Sequence, residues 1–159
     1  MSENLFEPVM LVADIIGSDE YPDINGRISF KKKLEGVLVT AEIFGLPKSN
    51  AICDRKIFAL HIHEGKFCSG NINEPFANTG THFNPDKCEH PNHAGDLPPL
   101  FGNNGYAYIS VYTDRFKLSE IIDKTVIIHS MPDDFNSQPA GNSGKKIACG
   151  EIKIIWAWF

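Results

Sequence analysis

The sequence predicts an all-β protein: a Greek-key barrel or sandwich of about eight antiparallel strands with two long functional loops. Three observations predict it. Short segments of alternating apolar and polar residues recur along the chain, with turn formers between them. Helical periodicity is confined to about one turn. Two stretches, residues 65–99 and 130–146, show little strand character and are longer than ordinary connections.

The strands follow in order. Val9 to Ile16 is an apolar run closed by Gly17. Residues 21–26 are rich in turn formers, and Arg27 to Lys31 then places Ile28 and Phe30 on one face. Val37, Val39, Ala41 and Ile43 alternate with Leu38, Thr40, Glu42 and Phe44, until Gly45 and Pro47 end that strand. Lys56 to His63 and Tyr106 to Thr113 alternate as well, the latter after the tight-turn signal Asn103-Asn104-Gly105. Thr125 to His129 and Ile147 to Trp156 complete the set, and Ser119 to Lys124 is the one helical hint.

A length of 159 residues suits one domain spanning 1–159. Such a chain buries roughly 70% of its unfolded surface and needs no metal merely to fold. A hydrophobic fraction of 42% with 22% charged residues excludes global disorder. The net charge is −5, and the densest basic run, Lys31-Lys32-Lys33, reads as a solvated turn or edge strand, so no nucleic-acid partner is expected. No stretch approaches the roughly 18 apolar residues of a membrane span. The N-terminus lacks a positive segment and an adequate apolar run, which predicts no export signal and a cytoplasmic location. Cys53, Cys68, Cys88 and Cys149 allow three complete pairings, and counting does not choose between them.

The chemistry lies in the histidines. His61 and His63 are two apart in a strand and share a face, with Phe58, Leu60 and Ile62 on the other. The apolar face takes the core, so the two imidazoles are expected outside the sheet, close enough to chelate one ion. His82, His90, His93 and Asp96 fall within 15 residues, a local spacing that lets a loop wrap a tetrahedral zinc. His129 ends an apolar strand at the mouth of the second long loop. If His61, His63, His82 and His129 hold one metal and His82, His90, His93 and Asp96 another, with His82 shared, all six histidines are used. A nitrogen-rich tetragonal set suits copper, and a set with a carboxylate suits zinc.

In motif order the chain reads Ala59-Leu60-His61-Ile62-His63-Glu64, Gly80-Thr81-His82-Phe83-Asn84-Pro85, His93-Ala94-Gly95-Asp96-Leu97, Val126-Ile127-Ile128-His129 and, over residues 141–150, Gly-Asn-Ser-Gly-Lys-Lys-Ile-Ala-Cys-Gly. It thereby resembles the copper/zinc superoxide dismutases over residues 8 to 155, and Ser137-Gln138-Pro139 looks like their bacterial branch. The resemblance implies copper and zinc as cofactors, superoxide anion as substrate, and a monomer or homodimer. It implies His61, His63 and His129 as copper ligands, His82 as the bridge, and His90, His93 and Asp96 as zinc ligands. Asp133 matches the carboxylate that joins a copper histidine to a zinc histidine, here His61 and His90, and fixes their tautomers. Cys68 and Cys149 match the family's disulfide.

Two departures are visible. Lys146 stands where the family carries an anion-guiding arginine, keeping the charge without the rigid fork, and Lys145 is a substitute cation. Only Pro91 and Asn92 separate His90 from His93, where many members carry a longer insert, so Cys88 enters as an extra candidate ligand. The alternative to a dismutase is a non-catalytic metal-binding or metal-delivery member of the same fold. A zinc hydrolase would need an open zinc position, which four protein ligands would close.

Overall fold

Alternation along the strands delivers one face of each to a common core. The computed structural model describes residues 10–155. β1 (Met10–Gly17), β2 (Asn25–Lys33) and β3 (Gly36–Phe44) form an antiparallel meander. Its register sets Leu11 opposite Phe30 and Phe30 opposite Val39, all buried. β4 (Ile57–His63), β5 (Asp96–Phe101), β6 (Ala107–Thr113), the short helix α1 (Leu118–Ile121), β7 (Thr125–His129), β8 (Lys146–Glu151) and β9 (Lys153–Ile154) follow. The strand order is β5-β4-β7-β8-β1-β2-β3-β6, with β9 paired to β1. β5 and β6, at the two ends of that order, lie near each other, so the sheet curls into a nearly closed barrel. The connections β3–β4 and β6–β7 join strands that are not neighbours, which is the expected Greek-key character.

Several expectations need adjustment. Val9 and Trp156 lie outside the described residues, and the final segment is two strands, β8 and β9. The 65–99 loop ends earlier than its sequence suggests, because residues 96–101 form β5 against β4. Pro98 and Pro99 hide that strand, yet β5 ends the hydrogen-bonded order, where a missing N–H is tolerated. β4 and β5 shift register between Phe58 and Leu60, and the Ala59 N–H donates instead to Met131 O at 2.9 Å. The 103–105 turn does close, with an isolated Asn103–Tyr106 bridge and positive φ at Asn104 and Gly105. The Lys31–Lys33 triplet is exposed at the end of β2. Among the described residues, no helix is long and apolar enough to cross a membrane.

Candidate metal centre

Both long loops fold over the outer face of β4. His61 and His63, on the face of β4 away from the core residues Leu60 and Ile62, are therefore covered: they are 0% and 2% exposed. Segment 81–83 runs antiparallel beside the end of β4, with Glu64 N–H donating to Thr81 O at 2.9 Å and Phe83 N–H to Ile62 O at 2.8 Å. That pairing brings His82 against His63. β7 pairs with β4 and carries His129 to the same place, where its Nε2 lies 3.3 Å from His63 Nε2.

The result is two buried groups sharing one ring: His61, His63, His82 and His129, and His82, His90, His93 and Asp96. Within each group the candidate donor atoms all lie within 4.8 Å of one another. The shortened His90–His93 spacing does not keep the second group apart. The Asn92 N–H donates to Glu89 O at 2.8 Å and the His93 N–H to Asp96 Oδ2 at 3.0 Å, folding the segment into a tight turn. Cys88 is a free, exposed thiol outside that group, and Cys53 is exposed in the loop before β4.

Hydrogen bonds set the tautomers. Asp133 Oδ2 accepts from His61 Nε2 and its Oδ1 from His90 Nε2, both at 2.8 Å. Gly80 O accepts from His63 Nδ1 at 2.8 Å. Each ring thus gives its N–H outward and turns an unprotonated nitrogen inward. His61 Nδ1, His82 Nε2 and His90 Nδ1 are buried without a hydrogen bond, which is costly unless an electron-pair acceptor sits among them. In the second group the separations are 2.8 Å for His82 Nδ1–Asp96 Oδ1, 3.0 Å for His90 Nδ1–Asp96 Oδ2 and 3.2 Å for His93 Nδ1–His82 Nδ1. Tetrahedral zinc–nitrogen bonds place neighbouring ligands about 3.3 Å apart, so this set fits zinc with little adjustment. Four inward imidazole nitrogens fit copper.

Burial favours the neutral ring at His61, His63 and His129. Burial, then the neighbouring His129 and His82, pushes His63 well below the usual imidazole range. Burial and the His61 ring lower His129 to about 3. Burial also lowers His61, against the opposing pull of Asp133. Burial alone would raise the Asp133 carboxyl, but hydrogen bonds from His61, His90 and the Phe135 N–H carry it far below the carboxylate range. Gly141 makes this packing possible: its φ is +67°, and a Cβ there would collide with Asp133 Oδ1 and His90 Nε2.

A cleft of about 820 Å³ opens onto His63, His82 and His129, with Lys145 and Lys146 in its wall. Lys146 Nζ donates to Gly80 O at 3.0 Å, the carbonyl that holds His63, and lies 3.6 Å from Glu74. Lys145 pairs with Glu20 at 3.3 Å. Cys68 and Cys149 form a disulfide, packed with Phe76 and Ile127, that ties the first loop to β8.

Three contacting residues carry no sequence signal of their own. Gln138 grips the His90 backbone, accepting its N–H at 2.9 Å and donating to its carbonyl at 2.7 Å. Glu74 reaches Lys146, and Arg115 reaches carbonyls of the 91–96 turn. Of these only Gln138 fell within a stretch that the family resemblance marks.

The family model described as copper/zinc superoxide dismutase matches residues 24–152. A Cu-Zn superoxide dismutase of Legionella pneumophila is 31% identical, with 90% of this chain and 86% of that protein covered. One of Aquifex aeolicus is 33% identical over 80% of this chain and 79% of its own length. That of Deinococcus radiodurans is 28% identical over 90% and 84%. A match over most of the sequence, on a barrel whose two loops gather the shared-histidine groups, places this chain in the copper/zinc superoxide dismutase family.

Proposed function

We propose that this chain, read as one domain, is a superoxide dismutase that converts two superoxide anions and two protons into dioxygen and hydrogen peroxide. The observation that carries the reading is His82, one buried ring facing both groups. Bound copper, held by His61, His63, His82 and His129, would supply the one-electron chemistry. His82, His90, His93 and Asp96 would hold zinc. His82 then works as the proton carrier: its Nδ1 stays in the Asp96 group, while Nε2 can take up a proton and release it toward the cleft. Asp133 keeps His61 and His90 in one tautomer throughout.

Lys146 supplies the local attraction that a net charge of −5 opposes. Its amine sits in the cleft wall beside the His63 anchor. Lys146→Arg is expected to raise the rate or anion affinity by a factor of about 2 to 10, roughly 0.4–1.4 kcal/mol. Lys146→Glu should slow the reaction more, and the loss should shrink with added salt. Unchanged rates and salt dependence in both variants would remove Lys146 from the site.

The direct experiment loads the protein with both metals and follows superoxide loss by stopped flow. Rapid loss that vanishes on removal of copper alone is expected. An inactive protein holding both metals would favour a metal-binding or metal-delivery role.

The neutral histidines also predict a pH dependence for the metal-free protein. The unfolded chain protonates His129 near its ordinary 6.5, whereas the folded one does so only at about 3. Between these values the unfolded state binds more protons, so stability is fully present above about 6.5 and falls as pH drops toward about 3. Urea midpoints of metal-free protein across that window should decline steadily. A flat profile would contradict the packed, neutral cluster.

A further inference from the structure

Arg115 follows β6 and belongs to neither metal group. Its Nη1 donates to Pro91 O at 2.9 Å, with longer contacts to His93 O at 3.3 Å and Asp96 O at 3.4 Å. All three carbonyls lie on the short segment that delivers His93 and Asp96. We propose that Arg115 is a positioning residue for the zinc group, fixing the 91–96 backbone so that His93 and Asp96 meet His82 and His90. The inference rests on reading those four residues as a zinc site.

The ligands are not held in the same way. His61 and His90 are anchored through their outer nitrogens by Asp133, and His63 by Gly80 O. His93 is anchored through its main chain: its N–H donates to Asp96 Oδ2 at 3.0 Å, and its carbonyl receives the Asp96 N–H at 3.2 Å as well as Arg115. A carbonyl oxygen has two lone pairs and can take both donors. Two of the four zinc-group side chains therefore take their direction from one turn. That turn is brief, since only Pro91 and Asn92 separate His90 from His93.

A guanidinium suits the task, being permanently charged and planar with several fixed donors. Arg115 also stands on firm ground. Its own N–H donates to Thr113 Oγ1 at 3.2 Å. The next residue, Phe116, is buried and meets Phe30 edge-on at 6.4 Å between ring centres. The sign of the effect separates positioning from plain electrostatics. A cation near a bound dication repels it, so simple charge removal would tighten zinc. Loss of a clamp loosens it.

The test uses the full chain and measures zinc affinity by competition with a chromophoric chelator, in the parent and in Arg115→Ala and Arg115→Lys. Arg115→Ala is expected to weaken zinc by about tenfold or more, the usual range for residues that orient ligands. Arg115→Lys should recover part of that loss. Cobalt(II) in place of zinc should show altered visible absorption in Arg115→Ala. The metal-free melting temperature and the copper affinity at saturating zinc should stay close to the parent's. Unchanged or tighter zinc with an unaltered cobalt spectrum would overturn the proposal. So would a parallel fall in zinc affinity, copper affinity and metal-free melting temperature, which marks general loosening. If Arg115→Ala does not fold, Arg115→Lys carries the same comparison, and parent-like zinc affinity there with a parent-like cobalt spectrum would overturn the clamp. Failure of the unmutated protein to take up zinc would overturn the site reading itself, and it is seen before any variant is made.

Discussion

His61→Ala is expected to abolish copper uptake and dismutation together. The ring is wholly buried, its Nδ1 turns inward with no hydrogen bond, and its Nε2 is spent on Asp133. No other described side chain is placed to supply that fourth donor. The parent loaded with Cu(II) should show nitrogen hyperfine structure, and the variant should show neither that pattern nor bound copper. Activity should fall to the uncatalysed background. Zinc should still bind, more weakly, because Asp133 keeps its hold on His90. Activity retained in His61→Ala would sink the copper assignment.

Cys68→Ser should produce the largest loss of stability. The bond joins residues 81 apart, and closing such a loop is worth roughly 4–5 kcal/mol in the chain-entropy model. That is a large share of the 5–15 kcal/mol by which a domain of this kind is stable. Function should suffer as well, since the tethered loop contributes the Gly80 carbonyl that orients His63 and holds Lys146. Urea denaturation of Cys68→Ser and of the reduced parent should give matching, much lower midpoints. A loss under about 1 kcal/mol, far short of the chain-entropy value, would mean that the bridge does little to hold the fold.

The barrel was legible because period-two alternation survives in β2, β3, β4 and β6, where one face meets the core, while β7 reads as a short apolar run closed by His129. β5 was hidden because its prolines speak against a strand, while its place at the end of the sheet makes them harmless. The ligands were legible because histidine is scarce here and its six copies fall in three places. The burial of His61 and His63 was not, since the segments covering them are distant in sequence. Cysteine counting left the pairing open, and only the family motif pointed to Cys68 with Cys149. Arg115, Gln138 and Glu74 act through one to three contacts each, and such contacts leave no periodic trace.

Asp133 grips one ring from each group, and His82 belongs to both. The two pockets are therefore one thermodynamic system rather than two neighbours. Filling either one orders a ring that shares a carboxylate with a ring of the other. By reciprocity, the factor by which zinc changes the affinity for copper equals the factor by which copper changes the affinity for zinc. A substitution that loosens Asp133 should therefore shrink both factors together, leaving only the coupling carried by the shared His82 ring.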